Sequence, residues 1–270
     1  MKYDVTIGIV NYNDYARTRE AVRSILDQTR DIKIKIYVID NASNDGSAER
    51  IANEFTNISV IFCDRNLGYG AANNLVIKKI LSDYHAVVNP DIVLRSNALK
   101  QLYDFMEQNS DVGMCIPSIY YMNGDPQYLP KRDPKLKYLI ANRLPAKGLE
   151  KHRRYYKMLD EDLTKVRDIE FASGCFMFVR TSLLRETGGF DERYFMYFED
   201  ADLSRTIRKK ARVVCVPDVK VYHDYRRHSA KKLRFLSIHI ASMFKYFLKW
   251  RKDNCEPEIK ALPAGGKDNT

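Results

Sequence analysis

Short β-branched runs alternate with helical stretches through the first 117 residues, and nearly every run ends in polar residues. Strands are predicted near Val5–Val10, Ile34–Asp40, Val60–Cys63, Ala86–Val88 and Gly113–Ile116. Helices are predicted near Tyr15–Gln28, Ala48–Phe55, Ala71–Leu81 and Asn97–Gln108. That rhythm predicts an α/β domain with a mostly parallel sheet and helices on both faces. Parallel strands in such sheets deliver their carboxyl ends to one rim, where ligands gather. The residues at those ends are Asn11-Tyr12-Asn13, Asp40-Asn41-Ala42-Ser43, Asp64 through Gly70, and Asn89-Pro90-Asp91. Four polar strand ends on one rim predict a site.

Beyond the fifth strand the pattern changes. From Tyr120 to Asp168 it degenerates into Pro, Lys, Arg and Tyr, which predicts a long surface excursion. Regular structure is expected again at Ile169–Phe171, at Cys175–Val179 and in a helix near Ser182–Thr187. A further helix is expected from Glu199, then a strand pair at Val213–Val216 and Val219–Tyr222. Leu233, Leu236, Ile240, Phe244, Phe247 and Leu248 then recur at spacings of three and four, predicting a C-terminal amphipathic helix. Lys231, Lys232, Arg234, Lys245, Lys249, Arg251 and Lys252 flank it. The expected division is a domain over 1–228, with halves 1–117 and 118–228, a basic helix over 229–254 and a disordered tail over 255–270.

The 45% apolar content is ample for a core. The chain opens directly into a strand pattern, and no run approaches the ~20 apolar residues of a membrane span, so the expectation is a cytoplasmic protein. Cys63, Cys115, Cys175, Cys215 and Cys255 are widely spaced and show no zinc pattern. They read as small core residues in a reducing compartment. Net charge is +10, and it is concentrated: residues 205–252 hold fifteen Lys/Arg against two acids, and residues 131–157 hold ten against two. A local basic surface predicts an anionic partner at one face.

The acids that carry chemistry lie between Gly188 and Arg205. A Gly pair permits a tight turn, aromatic residues from Phe190 to Phe198 supply apolar walls, and Glu199, Asp200 and Asp202 open a helix whose dipole favours ionised carboxylates. Asp200 is therefore expected to stay charged and act as a base. Asp202 points nearly opposite and is expected to pair with Arg205. Asp40 ends a strand, with a carboxylate suited to the ring N–H of a uracil or thymine; the following Asn-Ala-Ser-Asn-Asp-Gly also reads as a turn and helix cap. Gly68-Tyr69-Gly70-Ala71-Ala72-Asn73 superficially resembles a dinucleotide fingerprint, yet follows the third strand and has Asn73 in place of the third Gly. A close backbone approach to a nucleotide fits it better than hydride transfer. Asp91 offers an oxygen ligand suited to Mg²⁺ or Mn²⁺ bound largely through phosphates, and His223 is a further candidate ligand or a structural residue.

These motifs together resemble glycosyltransferase family 2 of the GT-A fold, and within it the rhamnosyltransferase-like members of bacterial polysaccharide assembly. The resemblance runs from about Val5 to Trp250. It is carried by Ile9 through Asn13, Val38 through Ser43, Asn66 through Asn73, Asn89 through Asp91, Ala172 through Met177, and Gly189 through Asp202. It implies a Rossmann-like sheet and an inverting transfer. Asp200 would be the base, and Val10, Asn11, Tyr12, Asp40, Asn66, Gly68, Asn73 and Asn89 would surround the nucleotide. Asp91 and His223 would hold the metal, and Ser173, Gly174, Cys175 and Glu199 would line the acceptor and donor pocket. The chain departs from the family's acid-x-acid metal motif by having Asn89 in the first position. The implied donor is dTDP-L-rhamnose or another pyrimidine nucleotide sugar such as a UDP-sugar. The implied acceptor is a polyprenyl-diphosphate-linked saccharide for cell-surface polysaccharide such as O-antigen or capsule.

A sugar nucleotidyltransferase would need a Gly-rich basic loop after the first strand, and Asn11-Tyr12-Asn13-Asp14 is the wrong chemistry for a triphosphate. A nucleic-acid-binding module would explain Lys245 through Trp250, where basic and aromatic residues interleave, but leaves the four polar strand ends without purpose. The basic segments are instead expected to make peripheral contact with an anionic membrane, either through the apolar stripe of the C-terminal helix or with that stripe packed on the catalytic domain.

Overall fold

The computed structural model describes residues 2–144, 146–224 and 233–251. Lys231, Lys232, Lys252, Cys255 and the tail beyond them lie outside the described residues. A run of seven buried residues, β1 (Val5–Asn11), forms an interior strand of the sheet, as expected of a strand covered on both faces. It pairs in parallel with β2 (Ile34–Asp40) and β4 (Tyr84–Val88), and β2 pairs in parallel with β3 (Ser59–Phe62). Between them run α1 (Tyr15–Gln28), α2 (Ser47–Glu54) and α3 (Tyr69–Ile77). Asp14 caps α1 by accepting the Arg17 N–H, as an Asx residue does at a helix start.

After β5 (Ile92–Val93) and α4 (Ala98–Gln108), the long strand β6 (Val112–Tyr121) leads into the hairpin strand β7 (Pro126–Gln127). The stretch expected as an irregular excursion contains two helices, α5 (Leu136–Arg143) and α6 (Glu150–Tyr156), followed by the short strand β8 (Arg167–Asp168). Tyr138, Ala141 and Tyr156 are buried there, so the segment has its own packed interior of tyrosines. Sequence alone hid it because Lys and Arg interrupt the apolar spacing. β9 (Phe176–Arg180), α7 (Thr181–Thr187), α8 (Glu199–Arg208), β10 (Arg212–His223) and α9 (Leu233–Lys249) complete the chain.

The sheet order is β3-β2-β1-β4-β9-β6-β10-β5. The parallel expectation describes the first four strands and the β6–β10 pair. β9 enters between β4 and β6 antiparallel to both, which makes the sheet mixed. The two strands expected at Val213–Val216 and Val219–Tyr222 are one strand: Pro217 and Asp218 form a bulge that shifts register against β6 between Val216 and Lys220.

Helices α1 and α4 cover one face of the sheet, with Val22, Ile25, Leu99 and Leu102 against Val5, Ile7 and Ile9. Helices α3, α7 and α8 cover the other, with Val76, Leu184, Leu203 and Ile207 against Val10, Ile39 and Met177. A third cluster joins α9 to the segment before α8: Tyr246 and Trp250 pack with Phe171, Tyr194, Phe198 and Ala201. Phe190, Tyr194 and Phe198, expected as walls of a cleft, are buried in these cores. Cys115, Cys175 and Cys215 are buried with free thiols, and Cys63 is half-buried.

Candidate active site

Parallel pairing brings the ends of β1 and β2 together, with Asn11 opposite Asp40. Asn11 is fully buried and its amide group donates to Asp40 Oδ1 (2.8 Å), Ser47 Oγ (2.7 Å) and Ser43 Oγ (3.1 Å). Its carbonyl oxygen accepts from Thr18 Oγ1 at 2.7 Å. That leaves Asn11 holding Asp40 in place, with no donor hydrogen left over for a ligand. The other oxygen of Asp40 accepts the Ser43 N–H at 3.0 Å. Tyr12, beside them, is exposed, whereas the side chain of Val10 points into the core.

Asn41 fastens this corner to the next loop: it donates to Asn66 Oδ1 and the Gly68 carbonyl, and accepts the Leu67 N–H. Asn66 in turn accepts the Gly68 N–H at 2.9 Å. Gly68 has φ +85°, and a Cβ there would lie 2.2 Å from the Phe195 carbonyl oxygen. The close backbone approach expected toward a nucleotide is thus made by the Phe195 segment, whose carbonyl also accepts the Tyr69 N–H. Asn73 is on the buried, sheet-facing side of α3; it donates to the Tyr69 carbonyl, and its oxygen would lie 3.3 Å from a Cβ at Gly8, in mid-strand. Its amide belongs to the helix–sheet interface, below the rim.

On the other side of β1, the Asn89 N–H donates to the Cys175 carbonyl at 2.9 Å. Two residues on, Asp91 Oδ1 is buried and has no hydrogen-bond partner, and it lies 3.2 Å from His223 Nε2 at the end of β10. His223 is itself buried, and its Nδ1 lies 3.0 Å from Gln127 Oε1. A glutamine oxygen accepts, so Nδ1 donates to it, and Nε2 is the ring nitrogen that faces Asp91. A buried carboxylate oxygen and an imidazole nitrogen 3.2 Å apart are an oxygen–nitrogen donor pair of a kind that fits Mg²⁺ or Mn²⁺. Among the described residues, no group of three or more His, Cys, Asp and Glu could hold a metal. An open cleft of about 550 Å³ adjoins Asp91, lined also by Asn13, Arg17, Glu20, Met122 and Asp224.

Asp200, at the start of α8, faces the Ser173-Gly174-Cys175 turn whose last carbonyl accepts the Asn89 N–H. Tyr197 and Phe198 both adopt positive φ (+69° and +68°), a strained conformation for aromatic residues. It turns the chain so that Asp200 Oδ2 accepts the Gly174 N–H at 3.0 Å, while Oδ1 accepts the Ala201 N–H at 2.9 Å. Tyr69 Oη donates to the Gly174 carbonyl at 2.7 Å. Burial raises the pKa of Asp200 above the usual aspartate value, opposed by those N–H groups and by the nearby Lys131 ammonium. Desolvation therefore acts against the ionisation that the helix dipole favours, and sets the direction of the shift. Glu199 is only 6% exposed, its Oε2 has no partner, and burial beside Asp200 raises its pKa further. Burial also pushes the Cys175 thiol up to about 12, which keeps it a neutral lining group.

Asp202 does not pair with Arg205. It is buried on the opposite face of α8, where it accepts from Trp250 Nε1 (2.8 Å), Lys249 Nζ (2.7 Å) and Tyr194 Oη (3.2 Å). The 200° between positions 200 and 202 on a helix thus separates the acid facing the turn from the one anchoring α9.

Sequence reasoning assigned no role to Lys131, Gln127, Asn41 or Tyr69. Lys131 lies over the Phe171 ring, with an ammonium pKa lowered by burial and partly restored by Asp200. Its only sequence signal was membership of a basic segment, and Gln127 gave none.

A mixed sheet with a polar carboxyl-end rim, an acid after β4 and an acid pair opening a later helix is the GT-A arrangement. Solved structures with the same fold include GalNAc-T7 with UDP, GalNAc and Mn²⁺ (TM-score 0.69, 17% identity) and S. aureus TarS (TM-score 0.59, 17% identity). The first alignment covers 98% of this chain and 52% of that one, the second 90% and 40%, so the chain spans about half or less of those proteins. Residues 6–188 match the family described as glycosyl transferase family 2, and the chain belongs to that family. Among curated relatives, the N-acetylglucosaminyl-diphospho-decaprenol L-rhamnosyltransferase of Mycobacterium tuberculosis is 27% identical over 213 residues, covering 73% of this chain and 68% of the relative. Rhamnosyltransferase WbbL of Escherichia coli K12 is 26% identical over 200 residues, covering 68% and 71%.

Proposed function

We propose that the protein transfers a sugar, L-rhamnose from dTDP-L-rhamnose foremost, onto a hydroxyl of a polyprenyl-diphosphate-linked saccharide with inversion at the anomeric carbon. The observation that carries this reading is the Ser173-Gly174-Cys175 turn. Gly174 binds the Asp200 carboxylate, and Cys175 binds the backbone of Asn89, two residues before Asp91. A base and a diphosphate-side acid are thereby tied to one short turn, which supports their acting on one bound donor. Asp200 removes the proton of the acceptor hydroxyl, that oxygen attacks the anomeric carbon, and the bond to the diphosphate oxygen breaks. Asp40 would accept the ring N–H of the donor's pyrimidine, and Asp91 with His223 would hold Mg²⁺ or Mn²⁺. When bound, the cation neutralises the donor diphosphate. The names of the rhamnosyltransferase relatives support the donor and the lipid-linked acceptor, and cell-surface polysaccharide assembly is the setting they suggest.

A panel of nucleotide sugars, each with Mn²⁺, tests the donor by thermal stabilisation, since only a ligand of the native state raises its stability. The expected result is stabilisation by dTDP-L-rhamnose above UDP-sugars. Asp200→Asn should keep that stabilisation and lower transfer about 10²-fold or more. Near-normal transfer by that variant would remove Asp200 from the role. Stabilisation by UDP-sugars alone would move the donor to uridine chemistry.

A further inference from the structure

The sequence marks one apolar stripe on the C-terminal helix and leaves open whether it packs inward. The structure packs a different face: Ser242, Tyr246 and Trp250 are buried against the segment before α8 and α8 itself, and the Ser242 hydroxyl donates to the Met196 carbonyl. Leu236, Ile240, Phe244 and Leu248, four residues apart, remain on the outside. A second row at the same spacing, Leu136, Ile140 and Leu144, lies outward on α5. These seven side chains are 38% to 63% exposed. The two helices are neighbours, since the Arg143 guanidinium lies 3.4 Å from His239 Nδ1 of α9 and Leu139 packs into the α9 cluster.

Two rows of large exposed apolar side chains on neighbouring helices exceed the single scattered residues of an ordinary surface and point to an interaction site. Its surroundings are basic. On the α5 wheel, Lys137 and Arg143 stand about 60° to either side of the leucine–isoleucine row, and both are exposed. On α9, exposed Lys245 stands about 60° from Leu248 at the edge of the other row and Arg251 follows its end in line with it; residues 233–251 contain no acid. Apolar rows edged by Lys and Arg match the layering of a lipid interface, acyl chains inside and anionic headgroups at the rim. Among the described residues no helix is long and apolar enough to cross a membrane. A face of this kind lies along the surface.

We propose that α5 and α9 together form a docking face for an anionic lipid bilayer. The proposal gives a partner to the lipid-linked acceptor reading and rests on that reading for its purpose. α9 packs on the residues that position Asp200, and α5 follows Lys131 by five residues, so docking would bring the acceptor side of the site to the headgroup layer.

Vesicle sedimentation of the full chain, without donor or acceptor, tests the face independently of transfer. The protein should pellet with phosphatidylglycerol-containing vesicles at about 0.01 M salt, where screening extends about 30 Å, and detach near 1 M. It should stay in the supernatant with phosphatidylcholine alone. Ile140→Glu with Phe244→Glu should weaken vesicle binding about tenfold or more while the melting temperature and dTDP-sugar stabilisation remain those of the parent. Lys137→Gln with Arg143→Gln should weaken it at low salt alone. Absence of pelleting, binding unaffected by the glutamate pair, or equal binding to neutral vesicles would overturn the proposal. So would a dimer in solution that the glutamate pair dissociates, which would assign the face to a second copy of the chain. Failure of dTDP-sugar stabilisation with vesicle binding intact would strike the donor assignment alone.

Discussion

Asp200 is oriented by two peptide N–H groups and is harder to ionise than an ordinary aspartate, because the desolvation of its partly enclosed site exceeds what those groups return. For a base, ionisation is the active form. The rate should therefore fall as pH drops through the raised pKa, giving an acidic limb displaced upward from the usual aspartate range. Lys131 is the cation that restrains this displacement. Lys131→Met removes it, so the acidic limb of transfer should move to still higher pH, and Lys131→Arg should restore it. A full pH–rate profile checks this; lowered turnover with an unmoved limb would make Lys131 a packing residue only. Neither the raised pKa nor Lys131's part in it was legible in the sequence. Helix-dipole reasoning counts the favourable dipole and omits burial, which only the folded chain defines.

Gly68 shows how one residue sets the relation between two elements. It ends the loop after β3, opens α3, and touches the Phe195 carbonyl closely enough that no side chain fits. Gly68→Ala would put a Cβ 2.2 Å from that oxygen in a backbone conformation of φ +85°. That backbone conformation alone costs a non-glycine residue about 1–3 kcal/mol, and relieving the clash must move the 195–198 segment that sets the start of α8. The expected outcome is a lower melting temperature together with loss of transfer out of proportion to it, measured by calorimetry and initial rates. Retention of full turnover in the destabilised variant would show that the segment and the Asp200 turn are uncoupled. At this scale the sequence carried the alternation of β1 to β4 with their helices, since continuous apolar runs and Asn or Asp at strand ends are local signals. It did not carry α5, α6 or the packing face of α9. Those rest on tyrosines and a tryptophan whose polar tips blur the apolar period, and on partners such as Phe171 and Tyr194 that are distant in sequence.

Across the whole molecule, the rim joins segments that only the sheet order brings together: Asp91 after β4, Gln127 of β7 and His223 at the end of β10. Asp91 and His223 were both legible as oxygen and nitrogen donors following strands. Their pairing was an inference from resemblance, and Gln127 carried no mark, because an amide that fixes a tautomer acts through a hydrogen bond and not through chemistry of its own. The arrangement makes a graded prediction for nucleotide binding titrated with and without Mn²⁺. Asp91→Ala removes the carboxylate whose Oδ1 is buried without a donor, and should abolish the gain in nucleotide affinity that Mn²⁺ confers. Gln127→Leu leaves both ligands in place and removes the acceptor for the Nδ1 proton, so the imidazole no longer has one preferred tautomer. Metal affinity should fall about 10–100-fold, the range seen when a histidine ligand loses its orienting partner, while affinity for the metal-free nucleotide stays unchanged. A Gln127→Leu variant that weakens nucleotide binding equally with and without Mn²⁺ would mean that Gln127 supports the strand end alone. Unchanged Mn²⁺ dependence in Asp91→Ala would remove the cation site from this rim.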